Sequence, residues 1–171
     1  MPIRTVLVLP AVLALALPAS AGAATAAPAV APQACREPDL TVAARASDVP
    51  DTVRISIRNH GRHACVVDRI PTVVFGDLDG AALPVPGGTS APYRVAAGGT
   101  AYAAVRTLDP ATTELRVVHR LTVAGDPAHR GRTFGAAALG APGGLRVWEP
   151  VTTRWHRSAA SADAVLARHT G

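Results

Sequence analysis

The chain has 171 residues, 49% hydrophobic but only 4% aromatic, with a formal net charge of +5; its 17 lysine-plus-arginine positions are all arginine. Nucleic-acid binders gather such cations into a patch or stripe. Here they are scattered, with Arg154-Trp155-His156-Arg157 as the one cluster, so the composition excludes a nucleic-acid partner and leaves only diffuse attraction to anionic surfaces.

In chain order, residues 1–21 read as a signal peptide. Arg4 supplies the positive start, Val6 to Leu17 the apolar run broken only by Pro10, and Ala19-Ser20-Ala21 an A-x-A cleavage pattern near Ala21. Ala23 and Ala26 close alternative cut patterns. A run of about 12 residues falls short of the ~20 that span a bilayer, so no transmembrane segment is expected. No cysteine directly follows the run to carry a lipid, and the mature protein is expected to be secreted and extracellular. Residues 22–34, built of alanine, proline and other small side chains, bury too little to offset their ordering entropy and read as a flexible lead-in. Residues 35–157 make one domain and 158–171 a C-terminal tail.

From Cys35 onward, apolar residues recur with period two. Strands are expected at 39–46, 52–58, 64–67, 71–75, 93–96, 100–106, 114–123, 132–139, 145–148 and 151–155. Glycine, proline and aspartate turns separate them, as in Asn59-His60-Gly61, Pro86-Gly87-Gly88 and Pro142-Gly143-Gly144. The fold class that follows is all-β, an antiparallel immunoglobulin-like β-sandwich. In the tail, Ser161 is placed to cap a short helix through Val165 and Leu166, or the tail is disordered.

Two cysteines in an exported chain are most simply one disulfide, Cys35 to Cys65. Closing that loop stabilises the fold by roughly 3.5–4 kcal/mol in the chain-entropy model. His60 and His63, two residues before Cys65, raise the alternative of a metal site. Zinc needs three or four convergent ligands, and with Cys65 in the bridge no nearby group completes a set. The segment is therefore expected to be the turn of a hairpin joining 52–58 to 64–67, its Asn and Gly tolerating positive φ. No metal and no cofactor are implied.

The run Cys-x-x-x-Asp-Leu (Cys35, Asp39, Leu40), then Arg-Asn-His-Gly-x-x-x-Cys (58–65), Pro-Thr-Val-Val-Phe-Gly-Asp-Leu-Asp-Gly (71–80) and Tyr-Arg-Val-Ala-Ala-Gly-Gly-Thr-Ala-Tyr-Ala-Ala-Val (93–105) resembles the domain of unknown function numbered 4232. That family comprises secreted or lipid-anchored actinobacterial proteins, and the resemblance covers residues 35–155. It implies a β-sandwich outside the cytoplasm and brings no catalytic residues. Two departures stand out. The second cysteine pair of many members is missing near Thr112-Thr113 and Ala141, and Arg69-Ile70-Pro71 stands where members tend to have Gly-Tyr-Pro.

Enzyme templates find no match. There is no G-x-S-x-G, and "AAGGTAYA" lacks the lysine of a phosphate loop. Asp77-Leu78-Asp79-Gly80 has the look of a calcium loop but continues into Ala81, Ala82 and Leu83, so a turn is expected. His119 shares its alternation with Leu115, Val117, Leu121 and Val123; it is expected to be a structural histidine, or turned outward by a bulge at Val117-Val118. The chain is thus expected to be a non-catalytic, exported binding module, its partner an envelope or extracellular protein or polymer. Trp148, opposite Leu145 and Val147 in the alternation, and Trp155 with Arg154 and His156 are the expected ligand residues. The alternative is a secreted inhibitor of proteases or other enzymes presenting the proline-bracketed loop 84–92, "PVPGGTSAP".

Overall fold

The computed structural model describes residues 32–170; the expected signal peptide, and the lead-in before Pro32, lie outside the described residues. The strands are β1 (Leu40–Ala46), β2 (Thr52–Asn59), β3 (Cys65–Val67), β4 (Thr72–Phe75), β5 (Leu83–Val85), β6 (Tyr93–Val95), β7 (Thr100–Arg106), β8 (Arg116–Val118), β9 (Arg120–Ala124), β10 (Arg132–Gly135), β11 (Leu145–Val147) and β12 (Val151–Thr153), followed by helix α1 (Ala159–Thr170). The largest sheet runs β1-β2-β7-β12-β5, a second runs β10-β9-β4, and β11-β8 and β3-β6 pair separately. The pairings are antiparallel except β5 on β12, which is parallel.

Period-two alternation builds the core. Val53, Ile55 and Ile57 of β2 and Ala101, Ala103 and Val105 of β7 face inward, against Val73 and Phe75 of β4 and Leu121 and Val123 of β9. Burying each of the larger aliphatic side chains stabilises the fold by roughly 1.5–3 kcal/mol. The opposite face of β7 presents Ala104, on which Ala162 and Leu166 of α1 pack. The helix starts earlier than its sequence suggests, because Ser158 rather than Ser161 caps it: Ser158 Oγ accepts from Ser161 N at 3.2 Å. No helix among the described residues is long and apolar enough to cross a membrane.

Cys35 and Cys65 are joined, Cα atoms 4.9 Å apart, and Cys35 N donates to Val66 O at 2.8 Å. The expected hairpin between 52–58 and 64–67 is not formed. β2 pairs with β1 and β7, whereas β3 pairs with β6. The reason is Asn59, which is fully buried. Its Nδ2 donates to His63 O (2.9 Å), Ala96 O (3.2 Å) and Val95 O (3.3 Å), while its Oδ1 accepts from Gly61 N (2.8 Å). The side chain braces a crossing from one sheet to another instead of supplying a tight turn.

Three further expectations are corrected. The strand at 114–123 breaks at His119 into β8 and β9, so that Val118 points inward before the break and Leu121 after it, with His119, Leu115 and Val117 exposed. The strand at 132–139 ends at Gly135, and Ala136–Leu139 forms a 3-10 turn. Pro84 and Val85, assigned to the loop 84–92, belong instead to a strand, Leu83–Val85, its proline tolerated at the sheet edge. Asp77-Leu78-Asp79-Gly80 is a turn: Leu78 N donates to Phe75 O at 2.9 Å, and Asp77 pairs with Arg120.

Candidate functional site

Alternation along β11 buries Leu145 and Val147 and leaves Trp148 half-buried at the strand's end. Its backbone is fixed on both sides: Trp148 N donates to Thr107 O at 3.0 Å, and Trp148 O accepts from Asp109 N at 3.1 Å. The next residue, Glu149, has φ of 44°, a left-handed conformation that non-glycine residues seldom adopt. Pro150 O then accepts from Leu83 N at 2.9 Å, and β12 begins. The corner faces a cleft of about 250 Å³ lined by Phe75, Leu78, Asp79, Arg116, Trp148 and Glu149 among others.

The charges in this cleft are uncommitted. Asp79, Arg116 and Glu149 make no ion pair among the described residues, in contrast to Asp77, Asp51 and Asp163, whose carboxylates meet Arg120, Arg146 and Arg54. An aromatic flank beside free donors and acceptors suits a ligand with one apolar face and hydrogen-bonding edges. Held backbone at an unfavourable φ costs of order 1–3 kcal/mol and recurs at ligand sites.

A larger hollow, about 430 Å³, lies beside the disulfide and includes Arg36, Asp39, His60, Arg62 and His63. Part of its polar lining is already engaged: Asp39 accepts from Arg36 Nε at 2.8 Å, and His60 Nε2 bonds Thr41 Oγ1 at 2.8 Å. Cys65, being oxidised, offers no thiolate there. The Trp148 cleft is the better candidate because it sets a large aromatic side chain beside charges that have no internal partner.

A family model for a domain of unknown function, DUF4232, matches residues 35–155. The chain belongs to that family. No curated protein and no solved structure matches it. The matched residues of the DUF4232 domain contain both cysteines and every residue named in the cleft; they end at Trp155, so His156 and α1 fall beyond the match.

The DUF4232 domain separates the four expected ligand residues. Only Trp148 lines the cleft. Trp155 is 0% exposed, which corrects its reading as an exposed surface: it belongs to the main core, and its backbone N–H donates to Arg69 O at 3.0 Å. Arg154 Nη2 donates to Gly87 O and Gly88 O at 3.1 and 3.3 Å, bracing the loop after β5. His156 bridges to Tyr102 of β7 through its backbone, at 2.7 and 2.9 Å. Burial, reinforced by Arg69 and Arg168, holds the His156 imidazole below its ordinary pKa. Sequence reasoning missed Asp79, Arg116 and Glu149 as a group. They lie on three separate segments, and only the run Asp77–Gly80 had drawn notice, for a different chemistry.

Proposed function

We propose that this DUF4232 domain is an exported, non-catalytic binding module that seats an envelope or extracellular protein or polymer over Trp148. The observation that carries the reading is the half-buried indole in a cleft whose carboxylates and guanidinium have no internal partners. The disulfide accords with an oxidising location. The test is a pulldown of the domain against the envelope and secreted fractions of its own organism, beside a Trp148→Ala variant of verified fold. A partner held by the parent and lost in the variant supports the reading. Capture unaffected by the substitution refutes the assigned face, and no capture refutes the binding role.

A second reading, a secreted enzyme inhibitor, draws on the loop after β5. Residues 86–92 are all exposed, and the Arg154 bonds to Gly87 and Gly88 restrict the loop before any partner arrives. Micromolar protein that slows no member of a serine-protease panel dismisses it.

A further inference from the structure

The turn between β1 and β2, the end of β7 and helix α1 together line a further cavity of about 250 Å³. Strand register builds its floor. Thr52 pairs with Arg106 and Arg54 with Ala104, and directly paired residues of neighbouring strands put their side chains on one face. That face is the one α1 covers, since Ala162 and Leu166 pack on Ala104. Arg54 fastens the two walls, its Nη1 donating to Asp48 in the turn at 3.3 Å and its Nε to Asp163 of α1 at 2.9 Å. The turn itself is held: Asp51, at φ of 51°, has its carbonyl accepting from Thr107 N at 2.7 Å and its carboxylate paired with Arg146.

Val49, Leu108, Pro110 and Leu166 make much of the lining apolar. Besides Asp51, two charged side chains of opposite sign interrupt it, Asp163 and Arg106. Each carries an unsatisfied atom: Asp163 Oδ1 and Arg106 Nε are buried without a hydrogen-bond partner. Buried polar atoms are ordinarily paired, so two unpaired ones on a single cavity call for a physical reason. The partners they do have leave capacity to spare. Among the described residues, Arg54 Nε is the one donor to the Asp163 carboxylate, which offers about four lone-pair sites. Arg106 meets Asp109 only at 3.6 Å, outside hydrogen-bond range, although its guanidinium carries N–H donors on every nitrogen.

We propose that this cavity binds a free α-amino acid with an apolar side chain, its ammonium on Asp163, its carboxylate on Arg106 and its side chain against Val49, Leu108 and Leu166. A ligand that carries both charges on one carbon matches a cavity with one acid and one guanidinium left under-partnered, and the contacts formed are charge-assisted. An apolar cavity of about 150 Å³ holds benzene, so the volume here takes a side chain of that size with room for the charged end. The matched family residues end at Trp155, so the α1 wall, and Asp163 with it, is added from beyond the DUF4232 match. The site is separate from the Trp148 cleft and stands or falls without it.

The experiment titrates the purified protein with L-leucine and L-phenylalanine and follows the methyl signals of Val49, Leu108 and Leu166 by NMR. Both amino acids are expected to give saturable shifts at millimolar concentration, and glycine, with no side chain to bury, none. Two fragments of leucine separate the charges: 3-methylbutylamine lacks the carboxylate and 4-methylpentanoate lacks the ammonium. Each is expected to bind about tenfold more weakly than leucine, the effect of losing one hydrogen bond to a charged group. Asp163→Asn and Arg106→Gln are expected to weaken leucine by about the same factor. Ala167→Trp, at an exposed helical position that lines the cavity, fills the space and abolishes binding; the folding of every variant is read from the same spectra. No saturable shift in the parent, a fragment that binds as tightly as leucine, or leucine binding that survives in folded Ala167→Trp overturns the proposal.

Discussion

Replacing Asn59 by alanine tests the physical account of why β2 and β3 part company. The Asn59 side chain is completely buried; its two amide hydrogens are shared among the carbonyls of His63, Val95 and Ala96, and its oxygen takes Gly61 N–H. Removing it deletes three hydrogen bonds' worth of pairing at about 1 kcal/mol each, so Asn59→Ala is expected to cost about 3 kcal/mol. With a urea m-value of ~2 kcal/mol/M for a domain of this size, the midpoint falls by about 1.5 M. Gly61→Ala presses on the same brace, because an added Cβ meets Asn59 Oδ1 at 2.9 Å. The two costs are therefore expected to be strongly sub-additive in a double-mutant cycle. A midpoint shift under ~0.5 M at unchanged m, or strictly additive costs, refutes the idea that Asn59 directs the crossing.

Joint replacement of Cys35 and Cys65 by alanine is expected to lower stability by roughly 3.5–4 kcal/mol, read from urea midpoints under non-reducing conditions; a loss below ~1 kcal/mol shows that the residual unfolded chain is already compact. Gly131 and Gly98 both have positive φ, 75° and 67°, but a Cβ on Gly131 meets Val123 O at 2.5 Å while one on Gly98 meets nothing within 4 Å. Gly98→Ala is expected to cost about 1–2 kcal/mol from conformation alone and Gly131→Ala clearly more, and equal thermal shifts contradict this. His156 has a folded pKa below the usual 6.5, so between the two values the unfolded chain binds more protons and stability falls as pH drops through that window. The denaturation midpoint of the parent is expected to decline below pH ~6.5 more steeply than that of His156→Gln; parallel curves contradict the assignment.

The sheets were legible where local alternation and burial agree, as in Val53-Arg54-Ile55-Ser56-Ile57. Trp148 was legible for the same reason, its phase being opposite to Leu145 and Val147. Asn59 was misread because its turn propensity is a property of its backbone, whereas its role here belongs to its side-chain amide and to carbonyls more than thirty residues away. Trp155 was misread through its charged neighbours, and strand phase does not reveal its burial either: Thr153 pairs with Val85 on the helix side of the sheet, whereas Trp155 enters the main core. Leu83–Val85 escaped notice because a strand of three residues with a central proline gains its pairing only from β12, far along the chain. Asp79, Arg116 and Glu149 meet only in three dimensions, and no spacing rule connects them.

The position of β12 sets an order for biosynthesis. It lies between β7 and β5 in the largest sheet, pairing Thr152 with both Val105 and Pro84. A chain that emerges N-terminus first cannot close this sheet until residues 151–153 have appeared. Until then β7 and β5 each carry an unsatisfied edge, and α1 has no finished surface on which to dock. The nascent polypeptide thus remains short of its native state until residues 151–153 have been released, and a product truncated before Val151 leaves an open β-edge available to other chains.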